Sequence, residues 1–168
     1  VHIFHFDKVR SELWVKVDRK LVIINTNNPN QYHFLPGETQ SMRFTVDTLS
    51  TGEVVKIYGC PWWYDEGIEI WEKNGYGEWQ SKMLTHVADE PLPKVSQLII
   101  QNDSILWLLS TDGLWKLNIN TPNTLKKIPQ TGIVTESTKL NIIRGELINN
   151  NHLFLAASTI GVALLDIK

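Results

Sequence analysis

The sequence predicts an all-β fold, either a β-propeller or a fragment of one, built from four-stranded antiparallel blades. The first observation is a six-residue pattern, in which Gly or Lys is followed by mostly apolar residues and then by Asp, Asn or Glu. It occurs four times in the 168 residues. The second observation is its spacing, because successive copies begin 47, 46 and 48 positions apart. A period of this size, with about four short strands in each copy, is typical of propellers. The copies are Lys20–Asn25, Gly67–Glu72, Gly113–Asn118 and Gly161–Asp166.

A second apolar run precedes the repeated pattern in three of the copies. Short runs rich in Val, Ile and Trp, bounded by turn residues, are typical of strands. The residues between the two runs include Asp, Gly and Ser, and they predict tight hairpin turns. Each copy therefore has a central hairpin of strands b and c. The b-strand runs are Leu13–Val15, Leu106–Leu108 and Leu153–Leu155.

Each central hairpin has a flanking strand on either side. The predicted a strands are Val1–Phe6, Met42–Val46, Val95–Gln101 and Leu140–Arg144, and the predicted d strands are Gln31–Leu35, Trp79–Leu84 and Leu125–Pro129. The resulting blades span roughly 1–36, 40–85, 94–129 and 138–168, and the last lacks its outer strand. No segment predicts a helix, and the run Val87–Pro93 is predicted to be a loop because it carries two prolines.

Composition bounds the class of protein and its surroundings. Hydrophobic residues make up 42% and charged residues 20%, as in a folded globular chain. The net charge of −2 gives no general attraction to nucleic acid or to anionic membrane, and no apolar stretch is long enough to span a bilayer. The single cysteine, Cys60, excludes an internal disulfide and favours a cytoplasmic location. The chain begins at Val1 without a signal region, and we expect it to be a piece of a longer polypeptide.

Large aromatic residues recur at equivalent places in the copies. Trp14, Trp107 and Phe154 occupy the same b-strand site, and Trp71 and Trp115 lie on c strands. Neighbouring blades of a propeller cover both faces of each sheet. We therefore expect these rings to pack between blades and not to bind a ligand.

The ends of the c strands, such as Ile70-Trp71-Glu72 and Leu165-Asp166, resemble the Trp-Asp ending of WD-repeat propellers. The Gly-His pair of that family and the Asp-His-Ser/Thr-Trp hydrogen-bond set built on it are absent. The run 106–115, Leu-Trp-Leu-Leu-Ser-Thr-Asp-Gly-Leu-Trp, also resembles the sensor propellers of two-component regulators. A third resemblance is to the C-terminal propellers of Roco-family kinases. All three resemblances imply a recognition platform, and none implies catalysis.

The repeat is interrupted between strands b and c of the second copy. Twelve positions separate Val55 from Gly67, whereas six separate the equivalent residues in the first and third copies. The extra stretch, 59–66, contains three adjacent aromatic residues, which cannot all face one interior because side chains of a strand alternate. The resemblance to WD-repeat propellers implies that b–c and d–a loops share one face, so that the stretch would lie beside the second d–a loop, 85–94. We predict that it binds a partner there. The predicted partner-binding residues are Trp62, Trp63, Tyr64, Asp65, Glu66, Asp89 and Glu90. The alternative is that the stretch folds back and caps its own end of the propeller.

No catalytic constellation, metal site or cofactor site is predicted. His2 and His5 are three residues apart on a strand, which places them on opposite faces and makes a shared metal unfavourable. Cys60 has no identifiable histidine partner. The acidic pairs of the two loops are interpreted as solvated charges and not as general acids or calcium ligands.

Three functions are consistent with these observations. The first is a non-catalytic scaffold for protein–protein interaction, part of a larger multidomain protein, whose partner is another protein or another domain of the parent chain. The second is a sensory domain that binds a small ligand or carbohydrate in the propeller pocket. The third is part of a propeller enzyme whose active-site residues lie on other blades. In each case we expect the four copies to belong to a larger ring, so that the isolated segment exposes apolar blade faces.

Overall fold

The computed structural model describes residues 1–61, 67–119, 124–129, 142–149, 151–157 and 161–167, and only the backbone of Ile143. The described residues form antiparallel strands and contain no helix, so the all-β prediction is confirmed. No helix capable of crossing a bilayer occurs in these ranges. The chain divides into two compact units. The first contains Val1–Trp62 and Glu69–Met83, and the second contains Trp63–Ile68 and Leu84–Lys168.

The first unit is made of two four-stranded antiparallel sheets, each with its strands in chain order. Sheet I contains β1 (His2–Asp7), β2 (Glu12–Val17), β3 (Lys20–Asn25) and β4 (Tyr32–Phe34). Sheet II contains β5 (Arg43–Thr48), β6 (Val54–Cys60), β7 (Ile68–Lys73) and β8 (Trp79–Leu84). The first residue of β7, Ile68, and the last residue of β8, Leu84, belong to the second unit.

One face of sheet I and one face of sheet II share a hydrophobic core. The two tryptophans at its centre, Trp14 and Trp71, are buried, and Trp14 makes an edge-on contact with Trp79 at a centroid separation of 5.8 Å. This core explains why the sheets pair, since aromatic rings bury the largest apolar areas of all side chains. Its buried members are Trp14, Leu21, Ile23, Leu35, Val54, Ile57 and Trp71.

The second unit contains two further blade-like sheets and a short hairpin. Sheet III contains β11 (Val95–Asn102), β12 (Ile105–Ser110), β13 (Gly113–Asn118) and β14 (Thr124–Lys127). Sheet IV contains β15 (Ile142–Asn149), β16 (His152–Ala157) and β17 (Gly161–Asp166). The hairpin pairs β9 (His86–Val87) with β10 (Glu90–Pro91).

Sheets III and IV share a second core, and a side chain connects their first strands. The core contains Ile99, Trp107, Leu109, Leu114, Ile142, Leu153, Leu155, Ala157 and Ile167. The amide of Gln97 on β11 binds both main-chain groups of Gly145 on β15, donating to its carbonyl at 2.9 Å and accepting from its N–H at 3.0 Å. A Cβ at Gly145 would lie 2.8 Å from Leu109 Cδ2, so only glycine fits there without movement.

Three predictions of local structure need correction. The predicted insertion begins too early, because Gly59 and Cys60 continue strand β6 and pair with Phe44 and Arg43 of β5. The predicted loop Val87–Pro93 contains the two-residue ladder of β9 and β10, which the prolines permit because one lies in a short exposed strand and the other outside it.

The aromatic repeat positions are also not all equivalent. Trp14, Trp71 and Trp107 are buried, but Trp115 is only partly buried and Phe154 remains 38% exposed. Phe154 lies on the face of sheet IV opposite its core, since its neighbours Leu153 and Leu155 point into that core. The ring of Phe154 therefore lies on the face of sheet IV that does not contribute to the described core.

Candidate functional site

The two segments predicted to form a binding surface approach each other at Gly67, which follows the first segment, and at Thr85, which begins the second. Gly67 follows the interrupted stretch, has a φ of +107°, and is so close to the next segment that a Cβ there would overlap the carbonyl oxygen of Leu84. The Cα of Thr85 would also lie 3.1 Å from that Cβ. The end of the interrupted stretch therefore contacts the start of the 85–94 loop. Both the positive φ and the close approach require glycine.

The 85–94 loop carries the short hairpin of β9 and β10 at its tip. Ala88 has a φ of 53°, which turns the chain between the strands, and the N–H of Leu92 closes the base by donating to Thr85 O at 2.8 Å. Asp89 and Glu90 are both exposed on this hairpin. The hairpin is an ordered element that presents two carboxylates to solvent.

The other predicted binding residues, Trp62, Trp63, Tyr64, Asp65 and Glu66, lie outside the described residues. The stretch is bounded by the described Pro61 and Gly67. Cys60, just before it, is buried, which fits an inert thiol better than a reactive one. The assignment of these residues and of Asp89 and Glu90 to partner binding stays a prediction.

A buried carboxylate, that of Glu69, lies in the β6–β7 hairpin that carries the interrupted stretch. Glu69 pairs with Gly59 across strands β6 and β7, and its Oε2 accepts hydrogen bonds from the hydroxyls of Thr39 and Ser41, the latter at 2.6 Å. All three side chains are buried. Because a buried carboxylate is costly unless it is hydrogen-bonded, these two donors hold the 39–41 segment against sheet II.

A lysine completes the polar cluster of Lys16, Thr39, Ser41 and Glu69. Lys16 Nζ donates to the carbonyl of Ser41 at 2.6 Å and lies 3.4 Å from Met42 Sδ. Burial lowers the pKa of Lys16, and the nearby Glu69 carboxylate acts in the opposite direction by favouring the charged amine. No sequence motif marks this cluster, because the hydrogen bonds from Lys16 to Ser41 and from Thr39 and Ser41 to Glu69 join residues 25 to 30 positions apart.

A second polar set lies at the turn between β12 and β13. Asp112 Oδ1 accepts from the hydroxyl of Ser110 at 2.6 Å and from Trp115 Nε1 at 3.1 Å, and its Oδ2 lies 3.0 Å from Lys127 Nζ. Burial disfavours the charged form, but the hydrogen bonds from Ser110, Lys127 and Trp115 outweigh it and lower the pKa of Asp112.

The arrangement of His2 and His5 differs from the prediction. A β-bulge lies between Ile3 and His5, so that His2 pairs with Lys16 and His5 with Trp14, two residues apart on β2. The bulge inserts one residue and places both histidines on the same face of the sheet. Nε2 of His5 is buried without a hydrogen-bond partner, and burial lowers the pKa of this imidazole, against the raising effect of Asp7. Within the described ranges, no group of three or more metal-binding side chains comes together.

Comparisons with known proteins identify the fold. No family model matches this chain, and no curated protein matches it. Among solved structures, it is similar to the extracellular domain of a hybrid two-component system from B. thetaiotaomicron, with a TM-score of 0.53 and 18% identity over 97% of this chain. It is also similar to a chain in the S. cerevisiae structure of Dbp5 bound to Nup159, Gle1, IP6 and ADP, with a TM-score of 0.56 and 9% identity over 97% of this chain.

These similarities support a divergent β-propeller. The chain spans only 26% and 43% of the length of the two solved chains it matches. With sheets I to IV built as small antiparallel blades, the fold class predicted from the repeat is confirmed.

Proposed function

We propose that the chain is a non-catalytic protein-interaction scaffold, part of a larger multidomain protein, and that its binding surface comprises the 62–66 stretch and the 86–91 hairpin. The observation that carries this proposal is the contact of Gly67 with Leu84 and Thr85. It joins the aromatic stretch to a hairpin that exposes Asp89 and Glu90. Aromatic anchors with a polar rim are the composition of protein interfaces.

The physical basis of the proposal is that the described elements flanking the stretch are held by specific hydrogen bonds. Glu69, at the base of the hairpin that carries the stretch, is fixed by two hydroxyl donors. The β9–β10 hairpin is closed by its own ladder. Residues presented on a rigid scaffold lose less conformational entropy on binding than residues of a free loop. In this proposal Trp62 or Trp63 is the anchor, and Asp65, Glu66, Asp89 and Glu90 form the rim.

The test is a pair of substitutions in the stretch, Trp62→Ala with Trp63→Ala, made in the longest chain of the parent that can be expressed. We expect capture of its specific protein partners to weaken by about 2 kcal/mol or more per anchor, with an unchanged melting temperature. Tyr76→Ala is the matched control, because Tyr76 is a 93% exposed aromatic residue on the β7–β8 turn, away from the proposed surface. A melting temperature lowered by many degrees with intact capture would identify the stretch as an intramolecular cap and refute the proposal.

A second candidate is a sensory domain that binds a small ligand or carbohydrate. Its support is the similarity to the extracellular domain of a hybrid two-component system. This function predicts that a panel of sugars and small metabolites includes a compound that raises the melting temperature in a saturable way. The double tryptophan variant would leave that shift unchanged, which distinguishes the sensory role from the scaffold role.

A further inference from the structure

Lys16 carries a buried ammonium group with one strong and one weak hydrogen-bond acceptor. Among the described residues, its Nζ donates to the carbonyl of Ser41 at 2.6 Å and to the thioether sulfur of Met42 at 3.4 Å. An ammonium group has three N–H donors, and a thioether is only a weak acceptor. Because a buried cation is unfavourable unless its donors are satisfied, a stronger acceptor at the position of the sulfur would stabilise the charged amine.

Met42 brings an oxidisable atom to this ammonium group. The residue lies just before β5, and its N–H donates to the carbonyl of Cys60 at 2.8 Å, which holds its main chain against β6. It is nevertheless 43% exposed, so small solutes can reach it. Oxidation converts a methionine thioether into a sulfoxide, a polar group that methionine sulfoxide reductases convert back. The oxygen of a sulfoxide is a much stronger hydrogen-bond acceptor than the sulfur of a thioether.

The other methionine of the chain provides a contrast, since the sequence contains two. Met83 lies on β8 and is 47% exposed, close to the value for Met42. No hydrogen bond to the sulfur of Met83 occurs among the described residues. The two methionines are therefore similarly accessible to an oxidant and differ in the buried cation beside Met42.

We propose that Met42 is a redox modification site, at which hydrogen peroxide forms a sulfoxide whose oxygen accepts a hydrogen bond from the ammonium group of Lys16. The sulfur lone pair attacks one peroxide oxygen, so that an S–O bond forms and the O–O bond breaks. The sulfur loses two electrons, and the second peroxide oxygen leaves as water after taking the proton of the transferred oxygen. A thiol-dependent methionine sulfoxide reductase restores the thioether.

The sulfoxide would strengthen the connection between the two sheets of the first unit. Lys16 belongs to β2 of sheet I, and Met42 leads into β5 of sheet II. Sulfoxides usually disrupt packing, but here the new oxygen meets a donor that has only a weak acceptor. The site shares no residue with the 62–66 stretch or the 86–91 hairpin, so the proposed scaffold function can fail its test without affecting this proposal.

The test compares the oxidised and reduced forms of two single-methionine variants. Met83→Leu leaves Met42 as the only methionine, and Met42→Leu leaves Met83. After treatment with hydrogen peroxide, followed by peptide mass mapping, we expect oxidation of Met42 to raise the folding equilibrium constant about threefold to tenfold. Oxidation of Met83 should leave it unchanged or lower it. The chain with both substitutions reports any effect of peroxide at Cys60, and methionine sulfoxide reductase should reverse the gain at Met42.

Lys16→Leu in the Met83→Leu chain removes the ammonium group and keeps an apolar side chain in its place. The gain in stability on oxidation of Met42 should then disappear, because the sulfoxide has lost its donor. An equal gain without Lys16, a loss of stability when Met42 is oxidised, or a Met42 that resists peroxide while Met83 reacts would each overturn the proposal.

A second measurement keeps the test decisive if Lys16→Leu does not fold. The pKa of Lys16 in the otherwise unchanged Met83→Leu chain is measured by NMR titration of its ε-methylene group before and after oxidation. Burial and Arg19 lower this pKa, whereas Glu69 and Asp18 raise it, and all of these groups are present in both forms. The sulfoxide bonds to the charged amine, so the pKa should rise on oxidation. An unchanged pKa would show that the sulfoxide does not contact Lys16 and would overturn the proposal.

Discussion

Gly59 lies where no side chain fits. A Cβ at this position would overlap both the hydroxyl and the Cβ of Ser41, which is itself hydrogen-bonded to the buried Glu69. The absent side chain thus allows the 39–41 segment to reach the carboxylate. Here the identity of one residue is determined by the packing of a polar cluster and not by the conformation of its own backbone.

Gly59→Ala should lower the free energy of unfolding by about 2 kcal/mol, because an extra methyl group in a packed site displaces its neighbours. Denaturant unfolding followed by tryptophan fluorescence measures the change. Gly75→Ala is the control, since a Cβ at Gly75 meets nothing within 4 Å, and it should stay within about 0.5 kcal/mol of the parent. Equal effects of the two substitutions would show that the Ser41 contact does not constrain the chain.

The contribution of Asp112 to the stability of the fold should depend on pH, and the contacts of its carboxylate determine the sign of that dependence. Its hydrogen bonds from Ser110, Lys127 and Trp115 lower its pKa in the folded chain despite burial. A carboxyl group with a lowered folded pKa stabilises the fold above its unfolded pKa, and this stabilisation is lost as the pH falls through the folded value. Asp112→Asn should therefore reduce stability at pH 7 by about 1 kcal/mol. The difference between the two proteins should shrink as the pH falls below 4, and a difference independent of pH would contradict this account.

At the scale of elements, the first strands of neighbouring sheets are connected by specific polar contacts as well as by apolar packing. In the second unit, the side-chain amide of Gln97 on β11 forms hydrogen bonds with both the carbonyl and the N–H of Gly145 on β15. The hydroxyl of Ser96, also on β11, donates to the carbonyl of Ile142 on β15 at 3.4 Å. Such bonds fix the register between two sheets, which apolar contacts alone do not, because they are not directional.

Gln97→Ala should lower the free energy of unfolding of the second unit by about 1–3 kcal/mol, since it leaves two main-chain groups of Gly145 without their partner. Hydrogen exchange of the Gly145 amide should accelerate with the loss of stability. Gln80→Ala, on the exposed outer strand β8, is the comparison and should have little effect on either measurement. If Gly145 exchanges at the same rate in both variants, the Gln97 contact is not what protects it.

At the scale of the whole molecule, sheet I and sheet IV each have one face in a described core and a second face with exposed apolar side chains. On sheet IV these include Phe154, Val162 and Leu164, and on sheet I they include Tyr32 and Phe34. Tyr32 and Phe34 meet edge-on with ring centroids 5.8 Å apart. Exposed patches of this type mark surfaces that another protein element covers. The expectation that the segment belongs to a larger ring remains a prediction.

The isolated 168-residue chain should bind a hydrophobic dye and associate increasingly with concentration. Phe34→Lys should reduce both effects, because it places a charge in the exposed face of sheet I. Dye fluorescence and sedimentation velocity provide the measurements, and Tyr76→Lys, on an isolated exposed turn, is the control. A cooperative monomer that binds no dye would contradict the larger-ring hypothesis.

The sequence by itself determined the blades, because each central hairpin is encoded locally by a turn between two short apolar runs and recurs at a constant period. It also located the interruption between β6 and β7 and the exposed acids Asp89 and Glu90. Only the tertiary structure decided which distant residues meet. The bulge at β1 moved His5 to the face of His2, Glu69 met hydroxyls 28 to 30 residues away, and Gln97 met Gly145 at a separation of 48 residues. These contacts depend on register and on sheet stacking, which are set by the sum of many weak interactions and leave no pattern in a single sequence.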